Sequence, residues 1–409
     1  LLFLNTELEA STEILKFQSA LALQCFTNEY IYLENNDEIR ALNVLEEKIL
    51  SLIKIGKQPS PNTILCLASY KSLYKYEWHK KIKINEHIEK VFNRQVFEPD
   101  YENKLKTSIP VLEEITDKVS TKVREQYESN PYPRWVNLSL SFKPETISKF
   151  VNAFNLKLYD FKINEVEVPN ILIAGCGTGQ HSIEVAAKFK NSKVLAIDLS
   201  LSSLAYAKRK TEELKISNIE YMQADILELG KLDKQFDIVE SSGVLHHMNN
   251  PISGWKVLTN CLKKGGIMRI GLYSEIARNY INQTCNEIRN RGLNSSKNDM
   301  KFFREIISNS REKHHNQITK MTDFYNLSEF KDLLFHVQEH RFTIPQIRDN
   351  LEELGLKFCG FESKNIDHNF KHEKTLKGQL YDLDKWTLYE QSHPETFRSM
   401  YQFWCQKTL

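Results

Sequence analysis

The 409-residue sequence has no apolar run approaching the ~18 residues of a helical membrane span, so no spanning helix is expected. It has little net charge: 55 Lys and Arg against 53 Asp and Glu leave +2, so no global field favours nucleic acid or an anionic membrane. Its 7 cysteines, at positions 25, 66, 176, 261, 285, 359 and 405, are odd in number and contain no C-x-x-C pair. That excludes an obvious disulfide framework or zinc module and fits a reducing, cytoplasmic setting. The chain opens Leu1-Leu2-Phe3 without a methionine, and we expect a truncated piece, with a leader or a further N-terminal domain left open. What remains is ordinary globular material, 41% hydrophobic and 26% charged, long enough for two or three domains and a sizeable core.

The most informative stretch is N-I-L-I-A-G-C-G-T-G-Q, residues 170–180. The apolar residues 171–174 suit a strand buried on both faces of a parallel sheet. Gly175, Gly177 and Gly179 then stop it, and residues 181–189 resume with helical spacing, Ile183, Ala186, Ala187 and Phe189 falling on one side. Strand, glycine turn and helix together make a place where a nucleotide-like ligand can approach bare backbone. The spacing is G-x-G-x-G, and a dinucleotide fingerprint would require Gly or Ala where Gln180 stands.

A second strand over residues 193–197 ends in Asp198, placed to accept hydrogen bonds from ribose hydroxyls. A third, 219–224, ends in Asp225, and a fourth, 236–239, runs into E-S-S-G-V-L-H-H-M. A fifth, 267–272, follows the helix-stopping pair Gly265-Gly266. Over residues 165–275 this succession resembles class I S-adenosylmethionine-dependent methyltransferases. The resemblance implies a Rossmann-like seven-stranded α/β sheet with helices on both faces, and S-adenosyl-L-methionine as cofactor. It places the glycine loop (Gly175, Cys176, Gly177, Gly179) against the methionine part, Asp198 and Leu199 at the ribose, and Asp225 with Ile226 at the adenine. Ser241 is a further cofactor candidate, and in the segment 127–135, read as a lid, Tyr132 would lie over the cofactor or acceptor and Arg134 would be available for the cofactor carboxylate.

Around this core the chain reads as helices. Residues 9–93 carry helical periods over 15–32, 42–53 and 63–73, with Pro59 and Pro61 as a break, which two or three antiparallel helix pairs would explain. The region is similar to the N-terminal part of bacterial methyltransferases that are sometimes fused to tetratricopeptide repeats, although no clean 34-residue repeat is present. It is read as a helical cap or as a surface for a protein partner. In Y-E-S-N-P-Y-P-R-W, residues 127–135, two prolines around Tyr132 exclude a helix interior. The element resembles the one preceding the catalytic domain of those bacterial enzymes, and serves as a lid or as a docking strip. The expected division is a helical domain over 1–105, a linker or lid over 106–150, and a methyltransferase domain over 151–409. A helical insertion over about 275–345 would wall the acceptor pocket with helices at 280–292, 300–309 and 328–340. A sixth strand is expected at 357–362. A final one, antiparallel as the resemblance implies, is drawn from 387–390 and 400–406.

Methyl transfer needs alignment and dryness, and a base only where the acceptor loses a proton. His246 and His247, after the fourth strand, and Tyr273, after the fifth, are the catalytic candidates. The competing reading has one histidine fixing the loop and the other in solvent. Tyr127, Arg278, His336 and His340 are acceptor-side candidates. His336 to His340 spells H-x-x-E-H, an inverted zinc-protease pattern, but no third ligand is evident and no metal is assigned. The function expected is a cytoplasmic methyltransferase acting on a small or medium-sized metabolite, with no nucleic-acid or membrane partner. The alternatives are a protein or RNA methyltransferase, or a silent cofactor fold whose helical domain binds a partner.

Overall fold

The computed structural model describes residues 10–133, 135–140, 143–362, 369 and 379–408; Arg134 lies outside them. The chain divides into two compact units, residues 1–105 with 134–136 and 284–335, and residues 106–133 with 137–283 and 336–409.

The first unit is helical. Helix Asn36–Lys54 starts at a capping box: Asn35 accepts from the Glu38 N–H at 2.9 Å while the Glu38 carboxylate accepts from the Asn35 N–H at 3.0 Å. Its Leu42, Leu45 and Ile49 share one apolar core with Leu15 and Ala22 of helix Thr12–Thr27 and Ile64 and Leu67 of helix Pro61–Ala68. Pro61 opens this third helix behind the Ser60 cap, because a first-turn proline lacks only an N–H that had no helical partner. The helix stops at Ala68, short of the expected 73. The buried Gln95 amide ties the bundle together, donating to the carbonyls of Ala22 (3.3 Å) and Ala68 (3.0 Å) and accepting from Leu73 N–H (3.1 Å). Helices Lys297–Ser308, Lys313–Ile318 and Leu327–Leu334 belong to the same unit.

The second unit is built on seven strands: β1 Asn170–Ala174, β2 Lys193–Asp198, β3 Ile219–Gln223, β4 Phe236–Ser242, β5 Leu262–Leu272, β6 Leu356–Phe361 and β7 Tyr401–Lys407. Their order is β3-β2-β1-β4-β5-β7-β6, with β1 to β5 parallel and β7 antiparallel to both of its neighbours. Leu172 of β1 stands between Leu195 of β2 and Val239 of β4, all buried. The near-unbroken apolar runs that marked these strands follow from cover on both faces. This is the class I Rossmann-like methyltransferase sheet, with β7 lying inside it rather than at its edge.

Three expectations are corrected. Residues 387–390 lie in the helix Leu383–Ser392, not in a strand: Asp382 caps it, and Leu383, Trp386, Tyr389 and Glu390 are buried at helical spacing. Strand β5 starts at Leu262, so Gly265 and Gly266 lie within the strand and the preceding helix ends at Cys261. The helix expected over 328–340 ends at Leu334, and His336 to His340 is irregular. Its backbone is committed elsewhere within the second unit, the His340 N–H to the His246 carbonyl at 2.7 Å and the Phe342 N–H to the Tyr273 carbonyl at 2.9 Å.

A buried charge network crosses the middle of the sheet. Glu240 on β4 meets His181 Nε2 at 2.8 Å and Arg269 Nη1 at 3.7 Å. Arg269 on β5 also bonds Glu362, and donates to Gln402 at 3.0 Å. Burial would raise the Glu240 carboxyl, but His181 and Arg269 outweigh it and hold it below its usual value. Among the described residues no helix is long and apolar enough to cross a membrane.

Candidate active site

The turn between β1 and helix Gln180–Lys188 brings the backbone of three glycines to the carboxyl end of the sheet. Gly177 has φ +53°, and a Cβ there would stand 2.4 Å from the Tyr132 carbonyl oxygen. Gly179, at φ +88°, is the helix N-cap, and its Cβ would meet Ala207 at 2.5 Å. Both positions combine a left-handed backbone with a close neighbour, which only glycine tolerates. The loop is anchored from β2: the Gly175 and Cys176 N–H groups both donate to the Ile197 carbonyl at 2.9 Å.

Asp198 is partly exposed at the end of β2, and its carboxylate is already in use. Oδ2 accepts from the Gly177 N–H at 2.8 Å and Oδ1 from the Ser200 N–H at 2.9 Å. Burial pushes its pKa up to about 6; the two N–H bonds pull down and the Glu128 charge pushes up. The cap of the following helix, Leu201–Glu213, is Ser200, whose hydroxyl accepts from Ser203 N–H at 3.1 Å. Asp198 thus joins the glycine loop to β2, and each oxygen keeps a lone pair for a ligand hydroxyl. Leu199 beside it is partly exposed and accepts from Gln223 Nε2 at 2.7 Å.

Asp225 is buried, accepts from the Leu227 N–H at 3.0 Å, and has its pKa raised by burial. Ile226 packs into the main core under the sheet. Ser241 on β4 is buried, and its hydroxyl has no hydrogen-bond partner among the described residues. Tyr132 reaches the loop through its backbone: its carbonyl accepts from the Thr178 N–H at 3.0 Å, and the Pro133 carbonyl accepts from Thr178 Oγ1. A residue missed in the sequence, Glu128, accepts from the N–H groups of Leu201 and Ser202 at the start of the next helix. Its signal was its place inside Y-E-S-N-P-Y-P-R-W. A cavity of about 440 Å³ opens beside it, lined by Arg124, Glu125, Ser129, Leu201 and Gln223 as well.

The acceptor-side candidates gather on the loop after β4. Val244 lies over Gly175, and two residues on, the His246 ring stacks on Tyr273 with centroids 3.9 Å apart. His247 stacks on His336 at 3.6 Å. Neither histidine is in solvent, and burial pushes both pKa values well below the usual imidazole range, with neighbouring cationic groups adding to it. Both rings are therefore neutral at pH 7, further from their unperturbed pKa than the sequence suggested. His247 Nδ1 lies 2.7 Å from the Gln338 carbonyl, so it carries the proton and Nε2 keeps a lone pair. His336 Nδ1 accepts from the Gln338 N–H at 3.1 Å, so its Nε2–H points to the Tyr127 oxygen, 3.1 Å away. Neither ring nitrogen of His246 has a partner among the described residues. Arg278 lies 3.5 Å above the Tyr273 ring and donates to Glu339 at 2.8 Å, so its charge is balanced within the protein. His340 meets the Gln338 amide at 2.9 Å.

Residues 171–266 match the family described as methyltransferase domain. An uncharacterized protein of Synechococcus sp. is 29% identical over 232 residues, 54% of this chain and 56% of that protein. A ubiquinone biosynthesis O-methyltransferase of Acinetobacter baylyi is 28% identical over 147 residues, 36% of this chain and 58% of that protein. The chain thus spans little more than half the length of each of these two relatives. The structure of PKMT2 from Rickettsia typhi is similar at a TM-score of 0.49 and 18% identity, over 64% of this chain and 51% of that one. The sheet has the class I Rossmann-like fold, residues 171–266 match a methyltransferase domain, and the residues present suit S-adenosylmethionine. The loop presents glycine backbone, Ser241 offers a buried hydroxyl with no partner among the described residues, and Asp198 has lone pairs in reserve.

Proposed function

We propose that the chain is an S-adenosylmethionine-dependent methyltransferase that methylates a small or medium-sized metabolite in the cytoplasm. The observation that carries this reading is the ring cluster in which the buried His246 and His247 stack on the partly exposed Tyr273 and His336, two residues from the Val244 that covers the glycine loop. In this reading Gly175, Cys176, Gly177 and Gly179 hold the methionine part of the cofactor. Asp198 and Leu199 hold the ribose, Asp225 and Ile226 the adenine, and Ser241 and Tyr132 complete the cofactor site. The cofactor supplies an electrophilic methyl group on a sulfonium. His247 Nε2 is the proton acceptor for an acceptor hydroxyl or amine, because its Nδ1–H is tied to Gln338 and the ring is neutral. His246 and Tyr273 form the apolar wall that excludes water, and Tyr127, His336 and His340 orient the acceptor. Arg278 holds Glu339 and with it the 336–340 segment.

The division proposed is a helical domain over 1–105 that meets a protein partner, a lid over 106–150 and a catalytic domain over 151–409 with its insertion at about 275–345. Incubation with methyl-labelled S-adenosylmethionine and a cell extract, followed by fractionation, tests the acceptor class. Label in the dialysable fraction supports the reading. Label confined to protein or RNA would replace the acceptor class. Calorimetric binding of NAD with no response to S-adenosylhomocysteine would overturn the whole assignment.

A further inference from the structure

Outside that site, the first unit contains a cluster that neither the fold nor the proposed reaction uses. Glu287, in helix Asn279–Asn290, faces His314 and His315 at the start of helix Lys313–Ile318. Glu287 Oε2 lies 2.9 Å from His315 Nε2 and 3.5 Å from His314 Nε2, and one donor atom from each of the three residues falls within 4.8 Å of the others. The donors of a tetrahedral site with bonds of ~2.0–2.1 Å stand roughly 3.4 Å apart, close to both measured separations.

Two further observations point the same way. The other carboxylate oxygen, Oε1, is held by Arg291 through Nε at 2.9 Å and Nη2 at 2.8 Å, which turns Oε2 toward the histidines. Such an outer partner is how ligating carboxylates are oriented. The His315 side chain is only 2% exposed and packs edge-on against Phe303, and its Nδ1 has no hydrogen-bond partner among the described residues.

We propose that Glu287, His314 and His315 bind one divalent first-row transition cation of the zinc type. The two-imidazole, one-carboxylate donor set suits such an ion and is a poor match for magnesium or calcium. Glu287 and His314 are 24% and 18% exposed, so the remaining coordination position falls to water. The ion ties residue 287 to the 313–318 helix.

The test uses the full chain after chelator treatment. Zinc is titrated against a chromophoric competitor, and cobalt serves as the spectroscopic probe. The proposal expects one tight equivalent, a cobalt spectrum without a thiolate charge-transfer band, and zinc raising the melting temperature. Affinity should fall about tenfold or more in both His314→Ala and Glu287→Gln. His314 is partly exposed, so His314→Ala should melt with the metal-free parent and remain a fair comparison if Glu287→Gln disturbs Arg291. No uptake, an unchanged affinity in His314→Ala, or a thiolate band placing the metal on cysteines would overturn the proposal.

Discussion

The Asp198→Asn substitution gives the sharpest test of how the cofactor loop is held. Each carboxylate oxygen accepts one backbone N–H, from Gly177 and from Ser200, at 2.8 and 2.9 Å. Asparagine has one oxygen and one NH2, so in either orientation an N–H is left facing a donor. An unsatisfied N–H in such a place costs about 1–3 kcal/mol, so the variant should lose that much stability before any ligand is added. A nearly silent Asn, which an N-cap role for Asp198 would allow, is not expected, because Ser200 caps that helix. If the same oxygens receive the ribose hydroxyls, affinity for S-adenosylhomocysteine should fall by at least ~1.5 kcal/mol, about tenfold. Urea denaturation read beside calorimetric titration separates the two effects, and Asp198→Ala should be worse in both. The acceptor methylated should not change. A parent-like denaturation midpoint together with a parent-like dissociation constant would refute the role given to this carboxylate.

Four further outcomes are expected. With a folded pKa of about 6, above its unfolded value, Asp198 contributes stability that is present below the unfolded pKa and lost as pH rises through about 6. Cofactor affinity should move oppositely, tightening from pH 5 to 7, and a flat titration series would count against it. Gly177→Ala must move the Tyr132 carbonyl or the loop, so a loss of roughly 1–2 kcal/mol in unfolding free energy and weaker cofactor binding are expected; an unperturbed melting curve would contradict the close approach. Glu240→Ala leaves Arg269 without one of its buried acids and should cost about 3–5 kcal/mol by urea denaturation. Since the Glu240 pKa is depressed, its contribution holds above the unfolded carboxylate value and disappears in acid, so parent and variant should converge at low pH. Tyr132→Ala keeps the carbonyl contact to Thr178, whereas Thr178→Val removes the bond to Pro133. If residues 127–135 act as a lid, Thr178→Val should speed cofactor dissociation in stopped flow, and an unchanged rate would favour simple docking.

Much of the sheet was legible in the sequence because fully covered strands leave unbroken apolar runs, and glycines with terminal acids mark their carboxyl ends. Where helix and strand share an apolar count the reading failed. Residues 387–390 look like a strand until Leu383, Trp386 and Tyr389 are seen to recur at helical spacing behind the Asp382 cap. Residues 336–340 have helical composition, but the carbonyls of His246 and Tyr273, distant in sequence, capture the backbone of the segment. The site was legible by residue type and not by bonding. Nothing in a sequence shows that Asp198 holds a glycine amide, that Glu128 meets the start of the next helix, or that Arg278 is balanced by Glu339.

The position of β7 inside the sheet also bears on how the protein is made. Strand β5 is complete at Leu272, but among the described residues its free edge is covered only by Tyr401–Lys407, and β6 joins the sheet only through that same strand. At a synthesis rate of about 5–20 residues per second, the backbone edge carrying Ile267, Ile270 and Leu272 waits on the order of ten seconds for its partner. During that interval it is an open template for strands of neighbouring nascent chains. Conditions that slow elongation between residues 272 and 401 should therefore lower the soluble yield without altering the stability of molecules that do fold.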